Sequence, residues 1–160
     1  MTVIADATPL IYLAAIGKFD LLRVLYGRIV IPCAVYDEVV IQGAGRPGAA
    51  ETAGAAWVDR QAVSDPAKVT SLQTHLDSGE SEAIVLAEEL HANLVVMDET
   101  AGRRVLAGRG IAFIGTVGVL MQAKQRGLIA AMKPELDQLR ANGFHLTDRV
   151  YRACLAASGE

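Results

Sequence analysis

Short apolar runs recur along the chain, each bounded by glycine, proline, asparagine or aspartate. The four clearest are Val3–Ala5, Ile29–Ile31, Leu94–Met97 and Ile111–Ile114. Runs without polar alternation are typical of parallel strands that are buried on both faces of a sheet. We therefore predict four such strands, with Trp57–Asp59 as a fifth strand at an edge.

Helical patterns fill the intervals between these strands. The predicted helices are Pro9–Ile16, Phe19–Leu25, Pro32–Ile41, Pro66–Leu76, Glu80–His91, Thr100–Ala107 and Thr116–Arg126. Regular alternation of strands and helices predicts an α/β fold with three layers, α/β/α, around a central, mainly parallel sheet of four to five strands. Between these elements, Gln42–Ala56 is rich in glycine and alanine and is predicted to be a surface loop with a weak helix.

The chain length suits one domain. At 160 residues it can bury an ordinary hydrophobic core, and it contains no internal repeat. We predict a domain over residues 1–146 and a C-terminal helix over residues 147–160 that packs on it or extends it. Across this boundary, the segment Met132–Glu160 is predicted to form one or two added helices.

Composition favours a cytoplasmic protein without a membrane segment. The chain is 52% hydrophobic but only 5% aromatic, which suits aliphatic helices packed on a sheet. No apolar run approaches the roughly 18 residues of a membrane span, and no secretory signal pattern is visible. The two cysteines, Cys33 and Cys154, lack CxxC spacing and fit a reducing compartment.

Charge is distributed unevenly along the chain. Residues 1–100 contain 6 Lys and Arg against 14 Asp and Glu, whereas residues 101–160 contain 9 against 4. One interpretation is an asymmetric solvated surface. The other is an acidic centre beside a basic surface, which would suit a phosphate-bearing substrate handled through a metal ion.

Two carboxylates follow predicted strands at the edge where α/β sheets bind ligands. Asp6 comes directly after the first strand, and Asp98 comes after Leu94–Met97. Thr8 is the better N-cap for a helix that starts at Pro9, so Asp6 is less needed in that role. For Asp98, a cap of the helix that begins at Thr100 is an alternative to a ligand role.

Two glutamates are further candidates. Glu38 lies among the apolar positions of the helix after the second strand, and a solvated surface acid is the alternative. Glu80 opens a helix, where a capping box with Asp77 is the alternative. Glu82, two residues further on, is most simply part of a solvated helix face.

Five segments of the chain resemble PIN-domain proteins. They are IADATPLIYLAAIGKFDLL, IVIPCAVYDEVV, GESEAIVLAEEL, LVVMDETAGRRVL and FIGTVGVLMQAKQRGLI. More narrowly, they resemble a prokaryotic branch described only as a domain of unknown function, with the match running from Val3 to Leu146. The resemblance implies a ribonuclease dependent on Mg²⁺ or Mn²⁺, and many PIN domains are toxins of toxin–antitoxin pairs.

The resemblance also implies which residues hold the metal and carry out catalysis. The family's four acids match Asp6, Glu38, Glu80 and Asp98 in order along the chain. Many members have aspartate in the third place, where Glu82 is the alternative; Glu80 keeps the family's spacing to Asp98. Carboxylates alone suffice for Mg²⁺, which agrees with three histidines that lie apart in the sequence.

Other residues are assigned supporting roles. Four that lie near the acids are predicted to support the site: Thr8, Glu82, Glu99 and Thr116. For Thr116 an ordinary N-cap is the alternative. The cations predicted to contact RNA are Arg103, Arg104 and Lys124, with plain solvated charge as the alternative.

The resemblance implies three kinds of partner: an RNA substrate, an antitoxin-like inhibitor protein and a second copy of the chain in a homodimer. Two other functions compete with the nuclease. One is a PIN-like binding protein with little or no turnover. The other is a phosphatase with Asp6 as nucleophile, since Asp6-Ala7-Thr8 resembles part of a DxDxT motif whose second aspartate is absent here.

Overall fold

The sheet consists of five parallel strands. A computed structural model describes residues 1–160 and places the strands in the order β3-β2-β1-β4-β5. The strands are β1 (Val3–Ala5), β2 (Ile29–Pro32), β3 (Val58–Gln61), β4 (Leu94–Val96) and β5 (Phe113–Ile114). All four pairings are parallel, which confirms the predicted sheet. The edge strand predicted at Trp57–Asp59 is present as β3.

Ten helices cover the two faces of the sheet. They are α1 (Ala7–Ala15), α2 (Leu21–Tyr26), α3 (Cys33–Tyr36), α4 (Ala49–Gly54), α5 (Pro66–Leu72), α6 (Ser78–Glu89), α7 (Thr100–Gly108), α8 (Thr116–Gln125), α9 (Lys133–Ala141) and α10 (Asp148–Ala157). The weak helix predicted within the loop is α4. None of these helices is long and apolar enough to cross a membrane.

Alternate residues of the central strands face two separate cores. Ile4 of β1 and Val95 of β4 belong to a cluster of 9 buried residues that packs under α6 and α7. Ala5 and Val96 belong to a cluster of 20, which packs under α1, α8 and α9. Both faces of these strands are therefore apolar, which is the physical reason for the uninterrupted apolar runs.

The helix predicted over Pro66–Leu76 ends early, at Leu72, and two other predicted elements differ more. The predicted strand Ile111–Ile114 is shorter, because Gly110 adopts a φ of +70° and the Ile111 amide donates to the Leu106 carbonyl, which closes the end of α7. The predicted helix Pro32–Ile41 is not uniform. It runs as α3 and then as a π-helical segment, Asp37–Gln42.

The C-terminal region packs on the larger core. Tyr151 and Leu155 of α10 contact the 20-residue cluster. The Glu160 carboxylate accepts hydrogen bonds from the amides of Met132 and Lys133, at 2.7 and 3.0 Å, and so caps α9. These contacts attach α10 to the body of the fold, and the boundary at residue 146 stays a prediction.

Candidate functional site

Asp6 lies at the end of β1 and is only 4% exposed. Its amide donates to the Val96 carbonyl of β4 at 2.9 Å, which continues the ladder one residue beyond the strand. The prediction that Thr8 caps the first helix is wrong. Helix α1 begins at Ala7 with Asp6 in the N-cap position, and the Asp6 side chain makes no capping hydrogen bond.

The Asp6 carboxyl is a strongly perturbed acid. Burial raises its pKa to about 8, and the negative charges of Asp77, Glu80 and Glu38 contribute to that rise. The Ala7 amide offsets only part of the effect. Three carboxylates from other parts of the chain therefore act on Asp6, and together they favour a bound proton or a bound cation.

Glu80 and Asp77 form a capping box at the start of α6. Asp77 Oδ1 accepts from the Glu80 amide at 2.8 Å, and Glu80 Oε2 accepts from the Asp77 amide at 3.2 Å. The capping-box alternative for Glu80 is thus correct. Burial and then the charge of Asp77 raise the pKa of Glu80, and the charge of Glu99 contributes.

Gly79 permits the close approach of this box to β1. A Cβ at Gly79 would lie 3.3 Å from Asp6 Oδ1 and 3.5 Å from Asp77 Oδ1. The two aspartate side chains therefore pack against the glycine, and a Cβ there would be tight against the Asp6 carboxylate and in ordinary contact with that of Asp77. Nothing in the local sequence pattern indicates this role.

Glu38 reaches the cluster from the π-helical segment. It is half-buried, and burial followed by the charge of Asp77 raises its pKa. A π-helical turn holds more residues than an α-helical turn and so redirects the side chains that it carries.

Asp98 is held by Thr116. The Thr116 amide donates to Asp98 Oδ1 at 2.9 Å, and its hydroxyl donates to Oδ2 at 2.7 Å. Burial raises the pKa of Asp98, and both bonds from Thr116 oppose that rise. Asp98 does not cap α7, whose N-cap position is Glu99. Nor is Thr116 an N-cap, because Gly115 occupies that position in α8.

Arg103 completes the surroundings of Asp98. Its Nε donates to the Met97 carbonyl at 2.8 Å, and its Nη2 lies 4.0 Å from Asp98 Oδ1. A Cβ at Gly115 would lie 2.6 Å from Asp98 Oδ1 and against the guanidinium. Sequence reasoning missed Gly115, since its role depends on side chains from two other segments.

The other residues predicted to support the site lie in three different places. Glu82 Oε1 accepts from the Ala34 amide at 3.1 Å, so it caps α3 and is not part of a solvated face. Thr8 lines a cleft beside Asp98. Glu99 is exposed, and its charge acts on Glu80.

Two predicted RNA contacts lie outside this arrangement. Arg104 is exposed on α7 and does not line the cleft beside Asp98. The Lys124 ammonium donates to the Ala130 carbonyl at 3.0 Å. Lys124 lies eight residues beyond Thr116 on α8, about 12 Å along the helix at 1.5 Å per residue, so the structure does not bring it to the acids.

The four acids offer the type of ligand atom that a hard divalent cation prefers. All are carboxylate oxygens. Burial is the main cause of the raised pKa of each acid, and neighbouring carboxylates add to it for Asp6, Glu38 and Glu80 but not for Asp98. No three histidine, cysteine, aspartate or glutamate side chains converge closely enough to ligate one ion together. Mg²⁺ keeps several waters and is held directly by only one or two carboxylates, so this arrangement is compatible with such an ion.

The raised pKa of Asp6 predicts a pH-dependent stability. The folded state keeps its proton up to about pH 8, whereas an unfolded aspartate with pKa 3.8 releases it. The folded state therefore binds more protons in this interval, and the free energy of unfolding should fall as pH rises through it. Thermal unfolding in EDTA at a series of pH values should show this fall in the free energy of unfolding. The fall should be smaller for Asp6→Asn.

Asp20→Asn is the matched control, because Asp20 is exposed and its hydrogen bond to Arg23 lowers its pKa. It should keep the wild-type slope over the same interval. Equal slopes for the wild type and Asp6→Asn would contradict the assignment of the proton to Asp6.

The hydrogen bonds from Thr116 to Asp98 predict that the Thr116 hydroxyl stabilises the fold. Thr116→Val keeps the shape and the backbone donor but leaves Asp98 Oδ2 without the hydroxyl. Losing a hydrogen bond to a largely buried carboxylate should lower the free energy of unfolding by about 1–3 kcal/mol. Denaturant titration would measure this, with Thr116→Ser as the variant that retains the hydroxyl. A serine variant as unstable as the valine variant would contradict the role of the hydroxyl.

Comparison with known proteins identifies the family. A family model described as a PIN domain matches residues 2–160. No curated protein matches the chain. PIN domains generally include metal-dependent nucleases, and the acids described above lie within the matched region. Since the match covers nearly the whole length, the chain belongs to the PIN-domain family.

Proposed function

We propose that this protein is a divalent-metal-dependent ribonuclease that hydrolyses RNA phosphodiester bonds. The observation that supports this proposal is a group of acids without basic partners at the edge of the sheet where the parallel strands end. Asp6, Glu38 and Glu80 all have raised pKa values, and none of the seven ion pairs in the structure involves them. A buried acidic cluster without basic partners is unfavourable unless it binds protons or a cation.

Asp6, Glu38, Glu80 and Asp98 are the residues that would hold Mg²⁺ or Mn²⁺. Such an ion activates a water molecule and neutralises charge on the phosphate. The acids must lose their protons to act as ligands, so binding should release protons and weaken at low pH.

Arg103 would contact the substrate. Its Nε is committed to the Met97 carbonyl, which fixes the side chain and leaves its terminal nitrogens beside Asp98. A guanidinium held in this way matches the paired oxygens of a phosphate group. We assign the phosphate contact to Arg103 in preference to Arg104 and Lys124, because it alone adjoins one of the four acids.

A binding protein with little turnover is the second candidate. It is favoured by the absence of a group of three converging ligands. A phosphatase is supported less well, because a carboxyl with a pKa of about 8 is mostly protonated at neutral pH and is then a poor nucleophile.

The biological setting is proposed from family membership alone. Many PIN domains are toxins held in check by an antitoxin, so we propose cytoplasmic RNA as substrate and an antitoxin-like protein as inhibitor. A homodimer is proposed on the same basis.

The nuclease is tested by RNA cleavage. Wild-type protein should cut unpaired RNA when Mg²⁺ or Mn²⁺ is supplied and should stop when EDTA is added. Asp98→Asn should reduce the rate by at least about a hundredfold, since changes to residues around a metal's ligands already cost 10–100-fold. Asp59→Asn is the matched control, because Asp59 pairs with Arg28 on the edge strand. Undiminished cleavage by folded Asp98→Asn would contradict the proposal.

Metal binding is tested separately by stability. A ligand that binds only the folded state raises Tm, so Mn²⁺ should raise the Tm of the wild type and of Asp59→Asn. Asp6→Asn should largely lose the response. An equal shift in all three proteins would place the metal elsewhere.

A further inference from the structure

A cleft of about 560 Å³ opens beside Asp98, and we call it the C-terminal groove. Tyr12 of α1 lines one part, Asp98 and Arg103 line another, and Phe144 and His145 line the rest. The last two belong to the connection between α9 and α10, so this groove is built by the C-terminal region against the edge of the sheet that carries the acids.

One part of the groove is aromatic. The rings of Tyr12 and Phe144 meet edge to face, with centroids 5.1 Å apart and an angle of 78°. Phe144 is half-buried, so part of its ring remains accessible within the cleft. Aromatic rings in nucleic-acid sites are surfaces on which unpaired bases stack.

The same part of the groove carries polar groups without partners in the chain. The hydroxyls of Tyr26 and Tyr151 are bonded to Gln122 and Asp137, whereas the Tyr12 hydroxyl makes no such bond. His145 is exposed and likewise makes no hydrogen bond within the chain. A tyrosine hydroxyl and an imidazole can each donate or accept, which suits the mixed edge of a nucleobase.

The other part of the groove is charged. Arg103 presents terminal nitrogens there, and Asp98 and Glu99 line the same part of the cleft. The two carboxylates repel a phosphate unless a cation is present, whereas the arginine attracts it. The two ends of the groove therefore differ. The end beside Asp98 and Arg103 suits a phosphate group, and the end at Phe144 and His145 suits a nucleobase.

We propose that the C-terminal groove binds one unpaired ribonucleotide, the neighbour of the phosphate that is cut. Its volume lies within the range of about 300–1,000 Å³ typical of small-molecule sites, which suits one nucleotide. A paired base cannot enter, because its hydrogen-bonding edge and its stacking faces are already covered by the duplex. This inference rests on the proposed function, and it makes the protein selective for single-stranded RNA.

Binding without cleavage is the direct test. A labelled unpaired RNA hexamer is titrated by fluorescence anisotropy against wild-type protein with Ca²⁺, which binds carboxylate oxygens as Mg²⁺ does, and gel electrophoresis checks that the RNA stays intact. Wild-type protein in EDTA is the second background. His145→Ala and Tyr12→Phe are added to each background. We expect each to weaken binding, with the double variant about tenfold weaker, at the lower end of what loss of one base contact costs.

His75→Ala is the matched control, because His75 is exposed and lies outside the groove. It should leave the affinity unchanged. A stable RNA hairpin stem should bind no more weakly to the groove variants than to the control. In competition, adenosine 5′-monophosphate should displace the hexamer better than ribose 5-phosphate does.

Each contrary result has a definite meaning. The proposal is overturned if the hexamer does not bind, if the groove variants bind it like His75→Ala, or if ribose 5-phosphate competes equally well. A change in oligomeric state without a change in RNA affinity would identify the groove as a contact between chains. Groove-dependent binding by a wild type that cleaves no RNA would instead reject the nuclease and keep the groove.

Discussion

The parallel pairing of β1 with β4 is the constraint on which the candidate site depends. Ala5 lies opposite Val96, and the Asp6 amide extends the ladder to the Val96 carbonyl. Residues almost a hundred positions apart thus leave the sheet side by side. A shift of one residue in this pairing would turn the side chains of β4 to the opposite faces of the sheet and move Asp98 away from Thr116. The two cores, which take alternate residues of these strands, hold the register.

The fold tolerates its buried acids through three local arrangements. Thr116 supplies two hydrogen bonds to Asp98, and the capping box uses the charge of Glu80 at a helix start. Gly79 and Gly115 make room for carboxylates where a Cβ would crowd them. None of these arrangements supplies a positive charge to Asp6, so the central acid stays the least satisfied. In enzymes, ionisable groups perturbed in this way concentrate at functional sites.

The sheet was predictable from the sequence, and so were the positions of Asp6 and Asp98 after their strands, but the surroundings of the acids were not. Strands buried on both faces leave a continuous apolar signature, so their positions follow from the sequence alone. Side chains that act across long separations leave no such signal: Glu82 bonds Ala34, 48 residues away, and Thr116 bonds Asp98. The π-helical segment at Glu38 was also missed, because its composition resembles that of an ordinary helix. The N-cap at Asp6 was missed because Thr8 has the better local preference.

The unequal size of the two cores has a consequence for motion. The layer over α6 and α7 rests on 9 buried residues, against 20 on the opposite side. Elements with fewer buried contacts open at lower free energy. Within this layer α6 buries eight of its 12 residues, whereas α7 buries only Gly102 and Leu106, so amide protons of α7 should exchange with solvent before those of α6. Arg103 ties α7 back to the sheet through the Met97 carbonyl and lies beside Asp98. A phosphate bound at Arg103 would therefore slow the exchange of the helix that opens first.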